Sequence, residues 1–275
     1  MTRRRSEPGR ASSPAAPHSA LPQYYVRDGD RQGFVTALFD GAAAHYDWIG
    51  RVMSLGSGQF YRRLALQRAG LAAGMRLLDV ATGTGLVAGA ALSILREPGA
   101  VIGLDPSRGM LREARKSTPV HLVQGRAEDL PFASDYFDVL SVGYALRHVA
   151  DLGVAFGECL RVLKPGGRLV ILEISRPSSA VGWWLLRAYL RRVLPFFARM
   201  RTRSPHAALL TRYYWDTIAE CVSPQTILEV LRGSGFVDVE RCVTGGLLSD
   251  YTGTKPSRSS PERASPARSR VSARG

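Results

Sequence analysis

Cysteine is scarce in this sequence, and long apolar runs are absent. The three cysteines, Cys159, Cys221 and Cys242, are far apart and include no C-x-x-C pair. An odd number at such spacing fits neither a disulfide framework nor a zinc site, so we predict no metal centre and a reducing, cytoplasmic environment. No stretch approaches the ~20 consecutive apolar residues that a membrane span requires. What remains is an ordinary globular composition, with 45% hydrophobic and 22% charged residues in 275 positions.

Lysine is also scarce, and the positive charge of the chain is unevenly distributed. The formal net charge is +14, but only three of the 37 basic residues are lysine. Residues 1–20 carry +3, residues 253–275 carry +5, and the segment 176–212, which has no Asp or Glu, carries +8. The rest of the chain is therefore slightly acidic. This distribution argues against a nucleic-acid partner, which would favour a basic patch on the folded domain.

Both ends of the chain are poor in large apolar residues and rich in Ser, Pro, Ala and Arg. This composition predicts disordered basic tails over residues 1–27 and 253–275. Residues 28–252 then form one domain, which is a common size for an α/β fold.

Within that domain, short apolar runs alternate with longer helical patterns, which is typical of a sheet covered by helices. The runs show little alternation between apolar and polar residues, as expected for parallel strands buried on both faces. The predicted strands are Arg76–Ala81, Val101–Asp105, Val120–Gln124, Phe137–Val142 and Gly167–Glu173. We therefore predict a doubly wound, mostly parallel sheet.

Helical patterns occupy the intervals between these strands and extend beyond them. Examples are Leu86–Leu95, Gly109–Lys116 and Leu152–Val162. Residues 32–70 predict N-terminal helices ahead of the first strand. After the fifth strand, residues 176–220 form a predicted helical lid segment, with helical patterns from 180 to 220, and a further helix is predicted over 224–233.

The first strand leads into a glycine-rich turn that is typical of a nucleotide-binding loop. Asp79 is followed by Gly83-Thr84-Gly85, where a strand must turn sharply into a helix and a ligand can approach the backbone. The motif alone is also found in dinucleotide-dependent dehydrogenases, and it is compatible with an empty turn. Asp79 could either fix the loop or accept a hydrogen bond from a cationic amino group.

Residues after the second strand make a nucleoside ligand the better interpretation. Asp105 ends that strand at about the 20-residue offset from which a carboxylate accepts both hydroxyls of an adenosine ribose. Met110, five residues later, is placed to lie against an adenine ring. A cationic ligand group near Asp79 would exclude the nicotinamide cofactors.

With these motifs in order, residues 34–252 resemble a class I S-adenosylmethionine-dependent methyltransferase. More closely, they resemble the C-methyltransferases of ubiquinone and menaquinone biosynthesis. The matching stretches are Phe39, Tyr46-Asp47, Ser54-Leu55-Gly56, Leu78–Gly85, Ala127–Phe132, Phe137-Asp138, Ala145–Arg147, Arg161–Arg168, Leu172–Pro177 and Val193–Pro195. The resemblance implies a Rossmann-like methyltransferase fold with S-adenosyl-L-methionine as cofactor.

The resemblance also implies roles for individual residues. Thr84, Asp105 and the backbone of Arg126-Ala127 are implied to hold the cofactor, and Gly143 is implied to face it. Arg126 stands where the family usually has Asn or Asp, and Arg cannot accept a hydrogen bond from an adenine amino group. Gly143 replaces a serine. Other departures concentrate in the half that binds the acceptor, at Gly50, Tyr61, Thr211 and Tyr251, which puts the quinone precursor in doubt.

Methylation of a phenolic or enolic carbon requires a group that stabilises the ionised oxygen and a group that accepts a proton. We predict Arg147 for the first role and His148 for the second, because they follow the fourth strand at the ligand-binding edge of the sheet. The alternatives are an arginine that caps a helix and a surface histidine. Tyr46 and Tyr213 are predicted substrate residues, with aromatic packing as their alternative.

The lid segment combines tryptophan with arginine, which is the composition of an interfacial helix. Residues 183–203 therefore predict peripheral contact with a membrane. The alternative is a core-packed helix whose arginine stems reach out to water. The two interpretations are compatible if the lid closes over a lipid-like substrate.

Together these features predict methylation of a carbon on a hydrophobic, phenol-like or quinone-precursor acceptor. O- or N-methylation of another small hydrophobic metabolite or lipid is the alternative within the same enzyme class. A nicotinamide-dependent oxidoreductase and a catalytically silent binding protein are the alternatives from other classes. No oligomeric state is predicted.

Overall fold

The computed structural model describes residues 16–19, 21–25, 28–54 and 56–257. They form a seven-stranded sheet between two layers of helices. The strands are β1 (Leu77–Val80), β2 (Val101–Asp105), β3 (His121–Gln124), β4 (Phe137–Gly143), β5 (Leu163–Ile174), β6 (Val237–Thr244) and β7 (Leu248–Thr254). Their order across the sheet is β3-β2-β1-β4-β5-β7-β6.

The strands β1 to β5 are parallel, which confirms the predicted fold class and all five predicted strands. β7 pairs antiparallel with β5 along seven positions, and β6 completes this edge. The sequence analysis did not predict β6 and β7. Both contain several polar residues, and β6 is largely exposed, so neither has the apolar run that marks a buried parallel strand.

Nine helices surround the sheet in the described part of the chain. They are α1 (Arg31–Met53), α2 (Gly58–Arg68), α3 (Leu86–Leu95), α4 (Arg108–Ser117), α5 (Leu152–Val162), α6 (Ala180–Ala188), α7 (Leu194–Thr202), α8 (Pro205–Ala219) and α9 (Pro224–Gly233). Serine or aspartate side chains cap the N-termini of α4, α5, α6, α8 and α9, which defines where these helices begin.

The strand order reverses between β1 and β4. The connection after β1 runs to one side of the sheet and that after β4 to the other, and this leaves a crevice at their carboxyl ends. Two helical elements cover this region, α1 from the N-terminal side and the lid from α6 to α8. The core beneath comprises apolar residues of both sheet faces, including Leu78 and Leu140 on one face and Leu77 and Val170 on the other, all of which are completely buried.

The lid begins as α6 and continues through a π-helical turn, Tyr189–Val193, into α7. The extra residue of that turn shifts the helical register. The buried positions are therefore Leu190, Leu194 and Ala198. Pro195 occupies the first turn of α7, where its missing N–H is tolerated.

The boundaries of the expected tails differ from the structure. Residues 16–19 and 21–25 lie within the predicted N-terminal tail, yet Leu21 and Tyr25 are buried beside α1 and α8. At the other end β7 continues to Thr254, and the Lys255 ammonium donates to Asp135 Oδ1 at 2.6 Å and to two backbone carbonyls. Apolar burial and these hydrogen bonds hold both segments on the domain. Residues 1–15 and 258–275 lie outside the described residues.

Candidate active site

The carboxylate of Asp79 fixes the glycine-rich loop from beneath. It accepts hydrogen bonds from Thr82 Oγ1 at 2.6 Å, from Ser141 Oγ at 2.7 Å and from the Ala88 amide at 3.1 Å. Complete burial raises the pKa of Asp79 to about 6, although each of these donors acts in the opposite direction. Of the two roles considered for this residue, the structure supports the fixing of the loop.

The three loop residues after Thr82 contribute differently. Gly83 has a φ of 58° and lines a cavity at the carboxyl end of β1. Gly85 also has a positive φ, and a Cβ on it would lie 2.7 Å from Thr118 Cγ2. Thr84 is buried and donates its hydroxyl to Asp47 of α1. Gly83 therefore faces the candidate cofactor cavity, whereas Thr84 and Gly85 hold its wall.

Asp105 ends β2 in the wall of the same cavity. One carboxylate oxygen accepts the Gly83 amide and the other accepts the Ser107 amide, both at 2.8 Å. Burial raises the pKa of Asp105 to about 6, and both backbone donors lower it. Each oxygen keeps a further lone pair for a ligand hydroxyl. Met110 lines the same cavity with 2% of its surface exposed.

The remaining predicted cofactor residues also line this cavity, which we call the cofactor cavity. They are Arg126, Ala127 and Gly143. The Arg126 guanidinium lies 3.5 Å from Glu128, whose other oxygen accepts the Ala150 amide. Glu128 lines the cavity as well. It was not predicted as a site residue, although it lies within the matching stretch Ala127–Phe132.

Gly143 is tightly constrained. A Cβ at this position would lie 2.6 Å from Val87 Cγ2, so α3 packs against the glycine backbone. A serine here would require Val87 to move. The glycine at position 143 is therefore matched to the close packing of Val87.

Helix α1 forms the opposite wall of the cofactor cavity. Asp40 Oδ1 accepts the Ser107 hydroxyl at 2.5 Å and the Gly109 amide at 2.6 Å. Asp47, two helical turns later, accepts from Thr84. These contacts join α1 to the loops after β1 and β2. The aromatic rings of Phe39 and Tyr46 on α1 also line the cavity.

A second and larger cavity of about 790 Å³ lies between α1, the start of α2 and the lid. Its lining is mostly apolar and includes Met53, Leu86, Leu185, Leu186 and Leu248. Tyr46, a predicted substrate residue, lines both cavities. We call this space the acceptor cavity.

Arg147 lies in the wall of the acceptor cavity, but its charge is already paired. Its Nε lies 3.1 Å from Glu173 Oε2, and both groups are almost completely buried. Its Nη1 donates to Thr217 Oγ1 at 3.1 Å. The predicted role of Arg147 requires a cation that is free to stabilise an ionised oxygen. In the structure Arg147 is paired instead, because β5 brings Glu173 beneath the connection after β4.

His148 lines the cofactor cavity, and neither of its ring nitrogens has a hydrogen-bond partner. Burial, together with the charges of Arg147 and Arg31, lowers its pKa well below the usual range, so the ring is neutral. It stacks on Tyr213 with ring centroids 5.4 Å apart.

Tyr213 is itself buried and lines neither cavity. Its neighbour Tyr214 faces the acceptor cavity. The helix α8 therefore turns Tyr213, a predicted substrate residue, towards the core behind His148 and away from the cavity that Tyr214 lines.

The connection after β4 separates the two cavities. Gly143, Ala145 and His148 line the cofactor cavity, whereas Tyr144 and Arg147 line the acceptor cavity. Tyr144 has a φ of 59°, in the left-handed region that is uncommon for a tyrosine. Such conformations concentrate at functional sites. One short segment therefore contacts both spaces.

Comparison with known proteins agrees with this geometry. The sequence model of the ubiE/COQ5 methyltransferase family matches residues 26–255. The demethylmenaquinone methyltransferase of Mycolicibacterium paratuberculosis is 33% identical over 225 residues, which are 82% of this chain and 95% of that protein. The ubiquinone/menaquinone biosynthesis C-methyltransferase UbiE of Serratia proteamaculans is 32% identical over 238 residues, 84% of this chain and 94% of that protein.

A solved structure shows the same fold at lower identity. A SAM-dependent methyltransferase from Aquifex aeolicus has a TM-score of 0.56 and 16% identity, covering 76% of this chain and 97% of that one. The expected class I methyltransferase fold is thereby confirmed. The chain belongs to the ubiE/COQ5 methyltransferase family and is an enzyme that uses S-adenosylmethionine as its methyl donor.

Proposed function

We propose that this enzyme methylates a carbon atom of a hydrophobic hydroxyaromatic quinone precursor held in the acceptor cavity. The observation that carries the proposal is the shared wall between the two cavities. A methyl donor on one side of the 143–148 connection and an acceptor on the other would meet beside Tyr46, which lines both. Direct displacement needs the two reacting atoms close together and aligned.

S-adenosylmethionine supplies an electrophilic methyl group bound to a sulfonium. On our proposal Asp105 binds the ribose hydroxyls, Met110 packs on the adenine, and Gly83 and Gly143 allow the donor to approach the backbone. Ala127 and Glu128 border the adenine end, with Arg126 at the rim. Thr84, Gly85 and Asp79 keep the loop in place. The buried, hydrogen-bonded carboxylate of Asp105 supports this arrangement because it presents acceptors in a water-poor site.

The acceptor cavity supports a large apolar substrate. Its volume of about 790 Å³ and its leucine-rich lining suit an aromatic ring system with part of an alkyl chain. The relatives named for demethylmenaquinone and ubiquinone methylation support a quinone precursor.

Carbon methylation also requires loss of a proton from the methylated carbon. His148 is the proposed acceptor of this proton, because it is neutral and both ring nitrogens are unpartnered. Arg147, paired with Glu173, is a positioning residue in this proposal and holds the wall of the acceptor cavity.

The test is incubation of the purified protein with methyl-labelled S-adenosylmethionine and a short-chain demethylmenaquinol, followed by mass spectrometry of the product. We expect the label on a ring carbon. A label on oxygen would contradict C-methylation, and a quinol that remains unlabelled would contradict the substrate class.

We also propose that the lid contacts an anionic membrane surface, from which a lipid-like acceptor would enter. Seven large apolar side chains of α6, the π-helical turn and α7 are exposed: Val181, Trp184, Leu185, Val193, Phe196, Phe197 and Met200. Six exposed arginines lie among them, at 187, 191, 192, 199, 201 and 203. None of the six forms an ion pair with any residue that the structure describes. An exposed apolar face with unpaired cations is complementary to anionic headgroups and the acyl boundary.

Leu185 connects this face to the proposed site, because it is exposed and also lines the acceptor cavity. Among the described residues no helix is both long and apolar enough to cross a membrane. The contact we propose is therefore peripheral.

Vesicle cosedimentation tests the membrane proposal. We expect binding to phosphatidylcholine vesicles that contain phosphatidylglycerol, and a loss of at least about tenfold in the variant Arg192→Glu/Arg199→Glu. Arg112→Glu/Arg115→Glu on α4 is the matched control, since it changes the same charge on an exposed helix elsewhere. Equal losses in both variants would contradict a specific lid contact.

A further inference from the structure

Arg62 on α2 is a buried arginine in the wall of the acceptor cavity. Only 9% of the residue is exposed, and its Nε has no hydrogen-bond partner. No carboxylate lies within ion-pairing distance of it among the residues that the structure describes. Leaving a cation buried and unpaired is unfavourable unless something else compensates the charge.

The other buried arginines have partners. Arg147 pairs with Glu173, and Arg31 donates to the Arg147 carbonyl at 2.7 Å and lies 2.9 Å from His18 Nε2. Arg62 lines the acceptor cavity, as Arg147 does, but it has no carboxylate partner among the residues that the structure describes. Its cationic group is therefore placed where a ligand, and not another part of the protein, would supply the negative charge.

The lack of a side chain on Gly58 leaves room for the Arg62 guanidinium. A Cβ on Gly58, one turn earlier on α2, would lie 2.7 Å from Arg62 Nη1. The guanidinium also lies over the ring of Tyr144, with its central carbon 5.5 Å from the ring centroid. Tyr144 is the residue with the left-handed backbone in the wall between the two cavities. These contacts orient the cation at the wall shared by donor and acceptor.

We propose that Arg62 binds an ionised oxygen of the methyl acceptor and selects acceptors that carry such an oxygen. The inference rests on the proposed function, in which the acceptor occupies the larger cavity. An ionised hydroxyl on an aromatic ring makes the adjacent ring carbon more nucleophilic. A guanidinium in an apolar cavity stabilises that anion and orients it through charge-assisted hydrogen bonds. Arg62 would thus supply the positive charge that Arg147 cannot offer to a ligand, because Arg147 is already paired with Glu173.

The test uses two probes of the same shape. 2-Hydroxy-1,4-naphthoquinone is an acidic enol that is ionised at neutral pH, and 2-methoxy-1,4-naphthoquinone cannot ionise. Binding to the full-length protein is measured by quenching of its intrinsic fluorescence. We expect the wild type to prefer the ionised probe by at least about tenfold, which corresponds to one charge-assisted hydrogen bond.

Three variants test the residue itself. Arg62→Met removes the charge and should abolish the preference while affinity for the methoxy probe changes less than about twofold. Gly58→Ala keeps the charge but displaces the guanidinium, so it should reduce the preference in a helix that remains folded. Arg63→Met is the matched control, because Arg63 is the exposed neighbour on the same helix and its loss should leave the preference unchanged.

Two outcomes overturn the inference. If Arg62→Met retains the preference, or lowers the affinity for both probes equally, then Arg62 does not recognise the anion. Equal affinity of the wild type for both probes would also overturn the inference. These results are distinguishable from failure of the proposed function, in which neither probe binds and no methyl group reaches the demethylmenaquinol.

Discussion

Donor affinity should depend on pH through Asp105. Burial raises the pKa of this carboxyl to about 6 in the free protein, and ligand hydroxyls that donate to it would favour the ionised form. At about pH 5 roughly one-tenth of Asp105 is ionised, so affinity for S-adenosylhomocysteine should fall about tenfold relative to pH 7.5. Isothermal titration calorimetry at both pH values measures this change. Near pH 6, titrations in two buffers with different ionisation enthalpies should also show proton release on binding.

The same carboxyl affects stability in the opposite sense. Because its pKa is higher in the folded state than in the unfolded chain, its contribution to the free energy of unfolding is present at low pH and is lost as pH rises from about 4 to 6. A shift of about two pKa units corresponds to at most about 3 kcal/mol. Bound S-adenosylhomocysteine should reduce this loss of stability, because hydroxyls that donate to Asp105 would favour its ionised form.

The control variant is Asp105→Asn, which cannot ionise. It should bind the ligand more weakly at pH 7.5 by about tenfold or more, since charge-assisted hydrogen bonds are lost, and its affinity should not change between pH 5 and 7.5. Two results would refute the assignment. One is a wild-type affinity that does not depend on pH, and the other is an Asp105→Asn variant with the same pH dependence as the wild type.

Three further predictions concern residues that hold the site together. Gly143→Ser should lower the free energy of unfolding, measured by urea denaturation, by about 1–3 kcal/mol because its side chain collides with Val87. The added substitution Val87→Ala should restore the stability. An unchanged free energy of unfolding in the single variant would contradict the packing. Arg147→Met should lower the free energy of unfolding by about 3–5 kcal/mol, since it leaves the buried Glu173 without its charged partner. An unchanged denaturation midpoint would disprove that pairing. Lys255→Ala removes a donor to three acceptors and should lower the melting temperature, whereas a neutral effect would place the residue outside the folded domain.

The sheet was largely predictable because its central strands leave strong local signals. β2 and the helices α3, α5 and α9 have the predicted bounds, and β1, β3 and β4 differ by at most two residues at either end. Continuous apolar runs mark strands that are buried on both faces. The antiparallel pair β6 and β7 has no such signal, because β7 is placed by its pairing with β5 and β6 by its pairing with β7.

That Gly83, Asp105 and Met110 line one cavity was predictable for a related reason. Asp105 ends its strand, the other two follow theirs within a few residues, and the parallel arrangement brings the ends of those strands to one edge. The acceptor half depends on contacts between distant segments. Tyr213 and Tyr214 are neighbours in the chain, but only the rotation of α8 about its axis determines which of them reaches the cavity.

By itself, the sequence determined the parallel core and the loops that line the cofactor cavity, because these follow from local patterns of burial, glycine and acidic residues, and the resemblance of its ordered motifs indicated the family. Which arginine is free to bind an anion was decided only by the tertiary structure. Arg147 meets Glu173 from β5, whereas Arg62 meets a cavity made by α1, α2 and the lid. Whether a charge is paired depends on segments that are far apart in the chain, and the local sequence around an arginine carries no record of them.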